Sequence, residues 1–303
     1  MGGEIAAQSA VNANLKNISG SAMLASTISF FVGSSFLTIL LLVMQPKLPL
    51  TATLITDNPW WMWLGGLTSA FALTTNIVLF ARLGSVQTAV LPIVGQIIMS
   101  VIIDQFGLFH SPSAKLTLLK FIGVLILLLG AGLSANVMVK KSPIEQVSRK
   151  TSRQWFWQLL GLIAGAGLAV QAAVNGYLGH VLNSSALAAW LTCLVVFIIL
   201  LIVTLLKKVP IVTGLKKAQR QTSNHWWLWI GGLLGSSYVM LSAQLVPLIG
   251  TGKVIVIALF GQLTFSALID NFGWFAAPKQ PITRLQLLGL NLMLVAIIVV
   301  NWH

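Results

Sequence analysis

The side chains able to do chemistry in this chain are few, and they recur. "GQLTFSALIDNFGWF" (261–275) carries Gln262, Ser266 and Asp270 at intervals of four on an otherwise apolar stretch. "GQIIMSVIIDQFGLF" (95–109) carries Gln96, Ser100 and Asp104 at the same places, and eight of the fifteen positions are identical. A second set pairs Gln8 with Asn12 in "QSAVNANL" (8–15) and Gln171 with Asn175 in "QAAVNGYL" (171–178). An interval of four puts both members of a pair on one helix face. Amides and hydroxyls are not nucleophiles here. Their chemistry is hydrogen bonding, either from helix to helix as packing glue or to a solute in a shared cavity. The candidates for a substrate path are therefore Gln8, Asn12, Gln96, Ser100, Gln171, Asn175, Gln262 and Ser266.

The carboxylates are fewer still. Asp104 and Asp270 end their helices, where a negative charge opposes the helix dipole. A local job in the "D-x-F-G" turn explains them, as an Asx-type hydrogen bond; a gate or an ion-coupling role is the sharper alternative. Glu4 is the one acid that can lie deep in an apolar segment, and coupling is its candidate role too. It sits in the membrane if the helix continues upstream, and near a surface if the helix starts at Met1.

Catalytic arrangements do not assemble. "GTGK" (250–253) has Pro247 and Val254 where a phosphate-binding loop needs Gly and Ser or Thr. No G-x-S-x-G occurs. The four histidines (110, 180, 225, 303) are scattered without metal-ligand spacing, and Cys193 is the single cysteine. The expectation is a non-enzyme without cofactors or metal.

The composition says what positions these residues. The 303 residues are 57% hydrophobic and only 8% charged, against about 25% charged in soluble domains. The natural solvent is a bilayer. The net charge of +13 lies between oily runs, as topology signals do, and does not point to nucleic acid. Apolar segments fall at about 2–15, 20–44, 60–81, 86–103 and 118–139. After the linker "KKSPIEQVSRKTSRQ" (140–154) come 155–178, 185–206, 226–246, 254–270 and 285–302.

The two fives are copies. "WWMWLGG" (60–66) matches "WWLWIGG" (226–232), and the offset is 163 residues from Gln8 to Gln171 and 166 from Trp60 to Trp226. A unit with an odd number of spans enters the membrane one way and its copy the other, the design of many secondary transporters. The expected fold is an all-α integral membrane protein of about ten transmembrane helices in two inverted five-helix repeats. These are residues 1–139 and 155–303, joined by a basic linker at 140–154. By alignment the first helix lacks about sixteen residues present in its copy, so the start of the helix is expected upstream of Met1.

Alternate connections collect fourteen Lys and Arg on one side and four (Lys47, Lys115, Lys120, Lys253) on the other. The rich side is expected to be cytoplasmic, with the linker, and both termini outside. The Trp clusters at 60, 61, 63 and 226, 227, 229 read as interfacial anchors.

The ordered set "LAVQAAVNGYLG", "WWLWIGGLLGSSYVM", "LVPLIGTG" and "GQLTFSALIDNFG" resembles the YdcZ family of the drug/metabolite transporter superfamily. It covers the second half fully and the first half less closely. The resemblance implies an internally duplicated ten-helix protein of the bacterial inner membrane, described as an exporter. Small multidrug-resistance proteins of that superfamily carry an essential Glu in their first helix. Laid on this chain, that position falls on Gln8 and Gln171. A neutral amide cannot alternately hold a proton and a cation, which argues against proton-coupled export of cationic drugs.

The reading is a secondary transporter that moves a small polar metabolite or drug-like compound by alternating access. An ion channel or a non-transporting membrane partner are the rivals. The expected partners are the lipid bilayer and the small-molecule substrate. A homodimer is compatible with this reading, and nucleic acid is not.

Overall fold

The computed structural model describes residues 1–44, 54, 56–138, 154–221 and 225–301. The linker up to residue 153 and Lys47 lie outside the described residues. Every regular element among the described residues is helical. The α-helices are α1 Gly2–Ser19, α2 Ala22–Met44, α3 Gly65–Phe106, α4 Leu118–Met138 and α5 Gln154–Val181. They continue as α6 Ser185–Leu206, α7 Ile211–Gln221, α8 Ile230–Ile249, α9 Thr251–Phe272 and α10 Arg284–Asn301.

Local signals set the ends. Gly20, Gly107 and Gly273 adopt left-handed φ values of 79°, 60° and 71° and close α1, α3 and α9. Ser184 caps α6 by accepting from the Leu187 amide. "TRLQ" (283–286) forms a reciprocal capping box: the Gln286 amide donates to Thr283 Oγ1, and the Thr283 amide donates to Gln286 Oε1.

Among the described residues, six segments are long and apolar enough to cross a bilayer: Ala22–Met44, Gln87–Phe106, Gln154–Val181, Ser185–Leu206, Trp226–Ile249 and Thr251–Phe272. Gly65–Leu79, Leu118–Ser134 and Arg284–Val299 are apolar but shorter. α1 is not among them, because Glu4, Gln8, Asn12, Asn14 and Lys16 interrupt its apolar surface.

Helix α3 is one run by hydrogen bonding but not one rod. A Cβ placed on Gly161 would lie 3.1 Å from Leu91 and 3.3 Å from Leu79. A straight helix would hold residues twelve apart at about 18 Å. The chain therefore doubles back between Leu79 and Leu91, so α3 has two limbs. Arg82–Ser85 separates the two apolar runs in the sequence, at the place that matches the break between α8 and α9 at Gly250 (φ 89°).

The two halves are interwoven. α1 packs on α8 and α9, whereas α5 packs on α3. The contacts come in matched pairs. A Cβ on Gly2 would overlap the Ala258 carbonyl, and one on Gly165 the Pro92 carbonyl. Gly231 faces Asn12, and Gly65 faces Asn175. The two contacts in each set are repeat equivalents: Gly2 corresponds to Gly165 and Ala258 to Pro92, Asn12 to Asn175 and Gly231 to Gly65. α2 and α6 cross through a Thr27–Thr204 hydroxyl pair at 2.9 Å and a Trp190 Nε1 donor to Thr38 at 2.8 Å.

One α-helix has no counterpart among the expected segments. α7 is amphipathic, with Gly214 and Ala218 buried and Lys216, Lys217 and Arg220 exposed. Its charges hid it inside a connection.

α4 and α10 meet where a Cβ on Gly130 would come within 2.7 Å of the Gly289 carbonyl, and one on Gly289 within 2.7 Å of the Gly130 carbonyl. Gly132, two residues on, faces open space. Gly130→Leu is expected to destabilise the protein by about 1–3 kcal/mol through overpacking, and Gly132→Ala to leave it unchanged or slightly more stable. Thermal unfolding in detergent by tryptophan fluorescence reads both.

Candidate functional site

A cavity of about 580 Å³ lies between α1, α2, α3, α5, α8 and α9. All four repeated glutamines line it: Gln8 from α1, Gln96 from α3, Gln171 from α5 and Gln262 from α9. Asn12 and Ser266 join them. The wall between these polar groups is apolar, with Phe30, Leu73, Ile93 and Leu259. An oily chamber with few, directional polar groups suits a small solute that hydrogen-bonds at several points.

Local packing explains how the amides reach the cavity. A Cβ on Gly235 would overlap the Gln8 amide, so a glycine in α8 makes room for it. Gln171 is buried with only 6% exposure. The buried Oδ1 atoms of Asn12 and Asn76 have no hydrogen-bond partner. Buried acceptors left open in this way carry a desolvation cost that a donor from solute or water would relieve.

Two predicted members stay outside. Ser100 is fully buried, and its hydroxyl donates to the Ile97 carbonyl at 2.8 Å. Asn175 is fully buried as well, and its Oδ1 accepts from Thr192 Oγ1 at 2.7 Å. Their repeat equivalents, Ser266 and Asn12, do line the cavity. Sequence reasoning also missed Asn76, Tyr238 and Ser242, which the cavity includes. Asn76 and Ser242 are repeat equivalents, so the offset of 166 could have found that pair.

The aspartates act differently from expectation. The turn after each uses its main-chain carbonyl: Asp104 O accepts from the Ala114 amide and Asp270 O from the Gln280 amide, both at 2.7 Å. Asp104's carboxylate makes no local Asx turn. It crosses to the start of α9, where Oδ1 accepts from the Thr251 amide at 2.9 Å and Oδ2 from the Gly252 amide at 2.8 Å. Ser111 Oγ donates to Oδ1 at 3.2 Å and lies 2.9 Å from Thr251 Oγ1. The negative charge sits at the positive end of another helix, which is favourable. It fills the "GTGK" amide site that a phosphate would need. Asp270's carboxylate meets no donor among the described residues.

Glu4 lies at mid-bundle rather than at a surface, since Gly2 beside it packs on Ala258 and Gln262 in the middle of α9. Its carboxylate is 3.7 Å from the Met1 ammonium, and Oε2 is buried without a hydrogen bond.

A second void, about 760 Å³, opens at the Asp104 end and is lined by His110, Ser111, Tyr177 and His180 among others. His110 stacks on Tyr177 at 4.7 Å and on Trp61 at 5.7 Å. The Trp clusters divide their work. Trp60 and Trp226 are exposed, as anchors should be, whereas Trp61 packs edge-on against Phe109 and Trp227 against Phe275.

No curated protein matches the chain. A solved structure described only as "Crystal structure of protein" superposes with a TM-score of 0.66 at 14% identity, over 99% of this chain and 96% of the other. That likeness concerns the fold alone. The profile of a family described as "Putative inner membrane exporter, YdcZ" matches residues 1–133 and 156–299. The interruption falls at the basic linker, so the match has two parts, as a duplicated chain requires. The chain belongs to the YdcZ family of inner-membrane exporters within the drug/metabolite transporters.

Proposed function

We propose that this protein carries a small polar or zwitterionic metabolite, or a drug-like compound of similar polarity, by alternating access between two inverted five-helix repeats. One observation carries the reading: a single cavity gathers the repeated glutamines of both halves. Amides from four helices that belong to different repeats can hold one solute while the halves rock around it. The exchanged contacts, Gly2 with Ala258 and Gly165 with Pro92, support a two-fold relation between the halves. A unit of five spans makes that relation an inversion, with ten crossings in all. The charge bias supports a cytoplasmic linker and both termini outside.

The substrate class follows from the lining. Neutral donors and acceptors favour a solute that brings its own hydrogen-bond donors over a bare cation. Ser100 and Asn175, buried here, line the path when the cavity faces the other way. Glu4 at mid-bundle and Asp270 are the carboxylates available for ion coupling.

Gln96→Leu combined with Gln262→Leu is expected to cut transport in proteoliposomes by at least about a hundredfold, as loss of two polar contacts to a buried solute would, with insertion and unfolding temperature retained. Asn291→Leu, on the exposed side of α10 away from the cavity, serves as the control. Unchanged transport in the double variant would sink the assignment. A thermal-shift screen of amino acids, nucleosides, polyamines and organic acids identifies the ligand, because a compound that binds only the folded state raises its melting temperature. Fast ohmic current in place of saturable flux would identify a channel instead.

A further inference from the structure

The cavity is lopsided in a molecule whose halves are copies. It includes Asn12 and Ser266 but excludes their repeat equivalents Asn175 and Ser100. Asn12 lies late in α1 and Ser266 late in α9. Thr88 and Ala89, early in the second limb of α3, also line it. These positions share one end of the bundle, where Gln158 near the start of α5 bonds to Gln87 and Asn14 bonds to the Phe275 carbonyl. The cavity therefore reaches from mid-bundle toward the linker end.

At the opposite end the chain is shut. Ala172, Val246 and Val254 pack together as a buried cluster. Ala172 borders the main cavity, and Val246 borders the void at the Asp104 end. This cluster therefore stands between the two spaces, with Met1 and Leu245 packed against it. Beside it Asp104 holds the start of α9 through two main-chain amides, and Ser111 ties the following turn to the same place. The equivalent carboxylate at the linker end, Asp270, has no such partner among the described residues. Among the described residues, the fastening at the closed end is the one that is made.

We propose that Asp104 is a latch. Its hydrogen bonds to the Thr251 and Gly252 amides hold the Asp104 end closed while the cavity opens to the linker end, and they break when the cavity turns to face the other side. This deepens the alternating-access reading and rests on it. A carboxylate suits the task because it fastens a whole helix start through two amides, yet makes no covalent or apolar commitment that would prevent release. The repeat places the counterpart latch on Asp270, engaged in the opposite state.

Accessibility tests the latch without a known substrate. In a Cys193→Ala background, Ala172→Cys places a lone thiol on the cavity side of the barrier. A membrane-impermeant thiol reagent is applied to either face of sided vesicles. With Asp104 intact, labelling is expected from the linker face and not from the other. Asp104→Ala is expected to raise labelling from the Asp104 face by about tenfold or more, the scale of one lost charge-assisted hydrogen bond. An unchanged pattern in folded Asp104→Ala protein would overturn the proposal.

A second variant covers failure to fold. Ser111→Cys with Thr251→Cys, also in the Cys193→Ala background, replaces two hydroxyls 2.9 Å apart and leaves Asp104 in place. Oxidation to the disulfide is expected to stop transport, and reduction to restore it. Full transport by the cross-linked protein would show that this end need not open. If the reduced protein moves no compound in the screen, the transporter reading fails, and thiol labelling of the Ala172→Cys variant still decides the latch.

Discussion

An amide side chain surrounded by hydrocarbon must meet another polar group or water, and the rest of this molecule is arranged around that constraint. The chain is so apolar that each Gln or Asn inside it is a local liability. Gln8, Gln96, Gln171 and Gln262 resolve it by converging on one chamber from four helices. Asn175 meets it only in part: its Oδ1 accepts from Thr192 and lies against Gly65, while its Nδ2 stays buried without a partner. The same residue type thus serves a cavity in one half and packing in the other, according to how closely the neighbouring helix approaches.

That approach is governed by glycine. Lipid offers no hydrophobic drive between helices, so the bundle depends on close packing of small residues. Gly165 against Pro92 and Gly2 against Ala258 let α5 and α1 lie directly on the backbone of the helix they cross. Neither half encloses the cavity by itself. An interwoven pair of this kind keeps the halves together.

The aspartates show how one sequence element acquires two roles. In both repeats the main-chain carbonyl of the Asp fixes the turn that follows. The carboxylate is then free for something else. In the first repeat it caps a helix of the second repeat. The carboxylate of Asp270, at the same place in the second repeat, makes no such bond among the described residues.

Much of this was legible in the sequence. Composition alone demanded a bilayer, and the offset copies of "GQ…S…D…FG" established the duplication and singled out the glutamines. The apolar runs placed most helices, because an apolar helix in lipid carries its signal in every residue. The linking charges concealed α7, whose solvent-facing Lys and Arg look like a connection until Gly214 and Ala218 are seen to be buried. Sequence could not divide Ser266 from Ser100 or Asn12 from Asn175, since each pair has the same residue type at the same helical phase. Only the tertiary structure decided which of them meet open space. Exposure of a side chain depends on the distance to a helix from the other repeat, and that distance is set by long-range packing that no local pattern encodes.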